Sequence, residues 1–280
     1  MIRPLREDDL DELFDMSCEV WEDYERVRDR PPPPPPDRDR AQRRMRRCLA
    51  TDPGGAWVSE LDGRITGCGL AILREGVWGL SLLVVYPSQQ STGVGRALLE
   101  ACHAYADGAR GRIILSSADT RAMRAYARLG LRAEPSLSAA GTPRGVQAPA
   151  GVREGDASDL PHTEAVDRFV RTAAHGADLS VMLESANTLL VSERGYVIYA
   201  PEDGELRVLA AYDDDAARDL LRAYLARVRE ARVEWLTASQ QWAIRTCVQA
   251  RLELLAAQGG VFTAGELGPF TPYLPSGAFL

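Results

Sequence analysis

Runs of alternating apolar and polar residues, and runs with helical spacing, follow one another along the chain in an order that occurs twice. Ile2 to Leu5 predicts a short strand, and Asp8 to about Val27 a helix whose first turn is acidic, where the positive end of the helix dipole favours acids. The run Pro31 to Pro36 can neither be helical nor donate sheet hydrogen bonds, so it predicts an exposed polyproline connector. A second helix is expected from Arg38 to Ala50. Its six arginines, Arg38, Arg40, Arg43, Arg44, Arg46 and Arg47, predict a solvated face. Three strands then form an antiparallel meander: Ala56 to Leu61, Ile65 to Leu73 and Trp78 to Tyr86, turned at Asp62-Gly63 and Glu75-Gly76. Next come a helix over Gly95 to Ala106, a buried strand over Arg112 to Ser116, and a helix over Asp119 to Leu129 stopped by Gly130. A final strand begins near Leu131.

Ser138 to Ala150 is rich in Ala, Gly and Pro and predicts a linker. Beyond it, the stretch from Val152 to Leu160 echoes the opening Ile2 to Leu10, and a comparable series follows. Strands are expected at Thr188 to Ser192, Tyr196 to Ala200 and Leu206 to Tyr212, then a helix over Ala216 to Arg229, a strand over Val233 to Thr237 and a helix over Gln240 to Ala257. The pattern is that of an internal duplication. The expected architecture is α/β (α+β), with domains at 1–137 and 151–280 joined by a linker at 138–150. Trp235, Trp242 and the aromatic, proline-rich end Pro269 to Leu280 are expected to pack into the core.

Composition narrows the chemistry. All 33 basic residues are arginine, so neither a Schiff-base lysine nor a Walker-type phosphate lysine is available. A net charge of -7 lacks the electropositive footprint of a nucleic-acid binder, so a cationic small molecule is the easier partner. The five cysteines are scattered and never spaced as C-x-x-C, which predicts reduced, buried thiols rather than disulfides or a zinc site. His103, His162 and His175 are too dispersed for a metal cluster, so no metal is expected and each histidine is read as structural. No apolar run is long enough to span a bilayer, and the N-terminus lacks the apolar core of a signal peptide. A cytoplasmic protein, monomeric or homodimeric and without membrane partners, is expected.

The chemistry concentrates in Pro87-Ser88-Gln89-Gln90-Ser91-Thr92-Gly93-Val94-Gly95-Arg96, which lies between a strand and a helix. A helix N-terminus leaves backbone N–H groups unpaired and partly positive, so a pyrophosphate can be held there without a lysine. Glycines let the backbone turn tightly and approach the anion. This segment resembles the acyl-CoA loop of the GNAT superfamily of N-acetyltransferases, Q/R-x-x-G-x-G/A after a strand ending V-x-P. Gln90, Gly93 and Gly95 fit the loop, and Val85-Tyr86-Pro87 fits the strand end. The family's second motif, N-x-x-A-x-x-x-Y-x-x-x-G-F, resembles Asp119 to Leu131: Ala122, Tyr126 and Gly130 match, while Asp119 and Leu131 depart from it.

The resemblance implies acetyl-CoA as cosubstrate, bound by Leu83, Val84, Val85, Gln90, Ser91, Thr92, Gly93, Val94, Gly95, Arg96, Asp119 and Ala122. It also implies direct transfer to an amine, with Tyr126 protonating the departing thiolate and backbone N–H near Val84 or Val85 holding the oxyanion. A carboxylate on the fourth strand often serves the family as base. Here the matching places hold Gly79 and Ser81, and no acid occurs on Trp78 to Tyr86, which leaves Glu19, Glu22 and Asp23 of the first helix as candidates. In the second half, the place of the glycine loop reads Tyr212-Asp213-Asp214-Asp215-Ala216, and its carboxylates would repel a pyrophosphate. Likeness to tandem members of the family is thus expected, with acyl-CoA bound by the first half alone. The expected activity is N-acetylation of a small-molecule amine. The alternatives are O-acylation, another acyl-CoA, or a non-catalytic acyl-CoA sensor.

Overall fold

The computed structural model describes residues 1–29, 36–256 and 259–280. Of the expected polyproline connector, 31–35 lie outside the described residues, as does Ala257. The chain divides into two compact units, Met1–Leu73 with Trp78–Ala109, and Arg74–Val77 with Arg110–Leu280. These units cut across the expected halves 1–137 and 151–280.

The first unit carries strands β1 (Ile2–Pro4), β2 (Ala56–Leu61), β3 (Arg64–Arg74) and β4 (Val77–Val85), hydrogen-bonded in that order. Helices α1 (Leu10–Arg26) and α2 (Arg38–Thr51) bury their apolar positions against the sheet. Leu13, Met16, Val20 and Met45 join Val58, Cys68, Leu70 and Val84 in one cluster. Alternation along β3 turns Gly67 and Gly69 the other way, toward α3 (Val94–Ala104). A Cβ on Gly69 would lie 2.5 Å from Cys102 Sγ, so glycine is what lets α3 approach the strand. Trp78 Nε1 donates to the Cys102 carbonyl at 3.1 Å and ties the same helix to β4.

In the second unit, β5 (Gly111–Ser116) is followed by α4 (Thr120–Arg128), β6 (Arg132–Pro135) and β7 (Leu137–Gly141). The duplicated series follows: β8 (Arg153–Glu154), α5 (Leu160–Arg171), α6 (Ala177–Leu183), β9 (Thr188–Ser192), β10 (Gly195–Tyr199), β11 (Leu206–Ala211), α7 (Asp214–Leu225), β12 (Ala231–Leu236) and α8 (Gln241–Gln249). β13 (Glu253–Leu255), β14 (Gly260–Gly265) and β15 (Tyr273–Leu274) complete it. A sheet in the order β15-β11-β10-β9-β8 packs under α7, and Leu190, Val197, Leu209, Leu220, Leu221 and Tyr224 are buried together. No helix among the described residues is long and apolar enough to cross a membrane.

The last strands of the two halves are exchanged. β14 lies antiparallel between β5 and β6, pairing Phe262 with Ile114 on one side and with Ala133 on the other. In return, β7 lies antiparallel between β12 and β13, pairing Ala139 with Val233 and with Leu254. Two expectations change as a result. The segment expected to be a linker begins as the central strand of a three-stranded sheet, and only 142–152 lacks regular structure. The final helix, expected to reach Ala257, stops at Gln249 because the chain must straighten into β13.

The C-terminal segment is buried as expected, with Tyr273, Leu274, Phe279 and Leu280 in the core. A polar knot holds it. His175 Nδ1 lies 2.8 Å from Asp167 Oδ2 and Nε2 lies 2.8 Å from the Leu280 oxygen, while the Tyr196 hydroxyl donates to Asp167 and the Tyr273 hydroxyl to Leu280. All of these side chains are shut off from water, where unmet hydrogen bonds would be costly. Trp242 is core as expected. Trp235 is half-buried instead, because it sits at φ 61° where the β12–β7 register slips. Cys48, Cys68, Cys102 and Cys247 are buried thiols outside any disulfide, and Cys18 is half-buried.

Phe262 is 1% exposed at the centre of the exchanged strand. Phe262→Ala should destabilise the protein by about 3–5 kcal/mol, the usual cost of emptying such a site, read as a lower midpoint in urea unfolding. An unchanged midpoint would mean that the exchange contributes little to stability.

Candidate active site

β4 ends at Val85, and one 3-10 turn over Pro87–Gln89 leads to the start of α3 at Val94. Between them Ser91 sits at φ 64° and Gly93 at φ 99°, a left-handed conformation open to glycine and costing other residues roughly 1–2 kcal/mol. Gly93 is the N-cap of α3, and an added Cβ would meet nothing within 4 Å. The backbone angle, not crowding, is what demands glycine there. Gln90 Nε2 donates to the Val85 carbonyl at 3.0 Å and Thr92 Oγ1 to the Gln89 carbonyl at 2.6 Å, so both side chains hold the turn's own backbone. No side chain caps α3. The unpaired N–H groups and positive dipole end of its first turn are left to an anion. Beside the turn lies a cleft of about 230 Å³, lined by Gln89, Gly93, Val94 and Ala97 and by Ser59 and Thr66.

The first unit thus gathers Leu83, Val84, Val85, Gln90, Ser91, Thr92, Gly93, Val94 and Gly95 into one strand-turn-helix. Arg96 is on the helix surface, its side chain 80% exposed and paired with Glu100 at 2.7 Å. Asp119, Ala122 and Tyr126 belong to the second unit. Asp119 is the N-cap of α4, accepting from Arg121 N at 2.8 Å and from the Arg121 guanidinium at 2.6 Å. Burial pushes its carboxyl pKa up, but those bonds outweigh burial and hold it below the usual range. Tyr126 is buried, its ring edge-on to Phe262 with centroids 5.5 Å apart. Phe262 was not among the expected site residues. The apolar run Val261-Phe262 could have signalled a strand, but nothing local links it to Tyr126.

β4 carries no acid, and Gly79 and Ser81 are buried. Of the acids on α1, Glu19 accepts from the Tyr86 hydroxyl at the end of β4, and this bond raises the phenol pKa. Asp23 pairs with Arg26 instead. The arginines of α2 are less solvated than expected: Arg38 reaches Asp15, Arg46 reaches Glu7, and Arg44 turns inward to Ser81. In the second half, α7 begins with its own anion. Asp213 caps it, accepting from Ala216 N at 2.9 Å, and pairs with Arg194 at 2.6 Å.

The sequence model of the acetyltransferase (GNAT) family matches residues 14–131, which contain the glycine turn and Tyr126. Residues 14–131 are a GNAT acetyltransferase domain. Those residues are thereby placed among acyl-CoA-dependent acyltransferases, and the fold of the chain is that of tandem GNAT proteins. A candidate acetyltransferase from Pyrococcus horikoshii is similar over 99% of this chain and 95% of its own, with a TM-score of 0.79 at 15% identity. A GCN5-related N-acetyltransferase from Sphaerobacter thermophilus is similar over 96% of each chain, with a TM-score of 0.61 at 15% identity. A tandem GNAT protein from the clavulanic acid biosynthesis pathway is similar over 95% of this chain and 98% of its own, with a TM-score of 0.56 at 14% identity. No curated protein sequence matches the chain significantly.

A β-branched residue cannot hold the angle of Gly93 without strain. Gly93→Val should leave the fold intact yet abolish the rise in melting temperature that CoA produces in the parent protein. Retained protection by CoA would refute this placement of the anion site.

Proposed function

We propose that the protein moves an acetyl group from acetyl-CoA to a primary amine of a small molecule, by direct transfer in a ternary complex. The observation that carries this reading is the uncapped, glycine-built start of α3, set against the carboxylate-capped start of α7. The first can take a pyrophosphate and the second repels one. Residues 1–137 then carry the chemistry, with 138–150 leading to a copy, 151–280, that does not bind acyl-CoA but lends β14 to the first half.

The amine, with a pKa near ~10, must lose a proton before its lone pair can attack the thioester carbonyl. Glu19 is the base we favour, because its bond to Tyr86 holds it at the end of β4. Backbone N–H near Val84 or Val85 stabilises the oxyanion. On collapse the carbon–sulfur bond breaks, the nitrogen gives up its second proton to solvent, and the thiolate takes a proton from the Tyr126 hydroxyl, which solvent restores. The absence of an acid on β4 also keeps O-acylation, or another acyl-CoA, as a second reading.

Thiol release should be measured with acetyl, propionyl, succinyl and malonyl CoA against varied amines. Tyr126→Phe should lower kcat by roughly 100-fold or more while changing the KM for acetyl-CoA little. An unchanged kcat would remove Tyr126 as the acid. No thiol release with any amine, despite tight CoA binding, would make the protein an acyl-CoA sensor.

A further inference from the structure

The acceptor is the least defined part of this reading, and Arg44 bears on it. Arg44 lies half-buried in the middle of α2, and its guanidinium reaches β4. Nε donates to Ser81 Oγ at 3.2 Å and Nη2 donates to the same oxygen at 2.8 Å, with a further contact from Nη2 to the Ser81 carbonyl. Nη1, with two N–H donors, makes no hydrogen bond among the described residues. Elsewhere on α2, Arg38 and Arg46 have carboxylate partners. Among the described residues no carboxylate pairs with Arg44.

Desolvation pushes the guanidinium pKa down, with Cys48 and Cys68 as its electrostatic neighbours. Burial raises the Cys68 thiol well above its ordinary value, so this thiol supplies no counter-charge. An arginine nevertheless keeps its proton at every physiological pH. A desolvated cation bonded only to a serine is costly unless an anion completes the site, and the unspent Nη1 suits a carboxylate oxygen.

Position separates this anion from those of acyl-CoA. Ser81 stands four residues before Val85, roughly 13 Å upstream along a strand rising ~3.3 Å per residue, and the glycine turn lies beyond Val85. Resting on the proposed function, we infer that the acceptor is an amine that also carries a carboxylate, and that Arg44 is the counter-ion for that carboxylate.

Thiol release should be compared across amino acids, each paired with its carboxamide, in the parent protein and in Arg44→Gln. At least one acid should exceed its amide by 30-fold or more in kcat/KM, and in Arg44→Gln that ratio should fall below about threefold, through KM for the acid. Parity of acids and amides in the parent protein, or an unchanged ratio in the variant, would overturn the inference. The same pairs should be tested by melting in the presence of CoA, with the CoA-induced shift itself showing that the variant is folded. If Arg44→Gln fails that control, Arg44→Lys replaces it. With no turnover at all the proposed function fails, yet acid-only stabilisation that is lost in the variant would still support the anion site. No acid-specific stabilisation, together with no turnover, would reject both.

Discussion

A single residue, Ser136, separates β6 from β7, and a hairpin needs at least two residues to reverse the chain. β7 therefore cannot fold back beside β6. It runs on to the second half and pairs there on both edges, while β14 returns to fill the space between β5 and β6. Each exchanged strand has its backbone donors and acceptors met on two sides, and neither half is left with an open sheet edge at that point.

This exchange brings residues of the second half against Tyr126. Phe262, more than 130 residues downstream of Tyr126, supplies the aromatic surface against which that ring is set. Edge-on packing holds the plane of the phenol. The half whose own helix start is closed by Asp213 thus supplies the ring beside Tyr126. Its polar knot around Asp167 and His175 anchors the end of the chain that carries β15, and β15 extends the sheet beneath α7.

Having no lysine, the chain uses arginine for every fixed positive charge, and the uses differ with surroundings. On the surface, Arg96 and Glu100 form an exposed pair that contributes little. Arg38 joins α2 to Asp15 of α1, and Arg46 reaches Glu7 just ahead of α1. At Arg44 the planar fork reaches inward to a strand that offers only a hydroxyl and a carbonyl. That contrast sets it apart from its neighbours on the same helix.

Most secondary elements, the duplication and the glycine turn were legible in the residues, because each depends on interactions within a few positions. Strand alternation, acidic helix starts and a left-handed glycine are local. So is the triple aspartate that caps α7, which could be read as hostile to phosphate from its spacing alone. The exchange of β7 and β14 was not legible, since strand partners are chosen by which edges the folded chain brings together, and Ala-, Gly- and Pro-rich composition concealed β7 as a linker. Arg44 looked like one of six solvated charges for the same reason. Helical spacing gives its direction on α2, but only the packing of α2 against β4 determines that the direction ends on Ser81 rather than in water. The sequence by itself determined the glycine turn, whose geometry is backbone and local. Tertiary structure decided what Tyr126 packs against and where Arg44 ends, because both depend on residues distant in the chain.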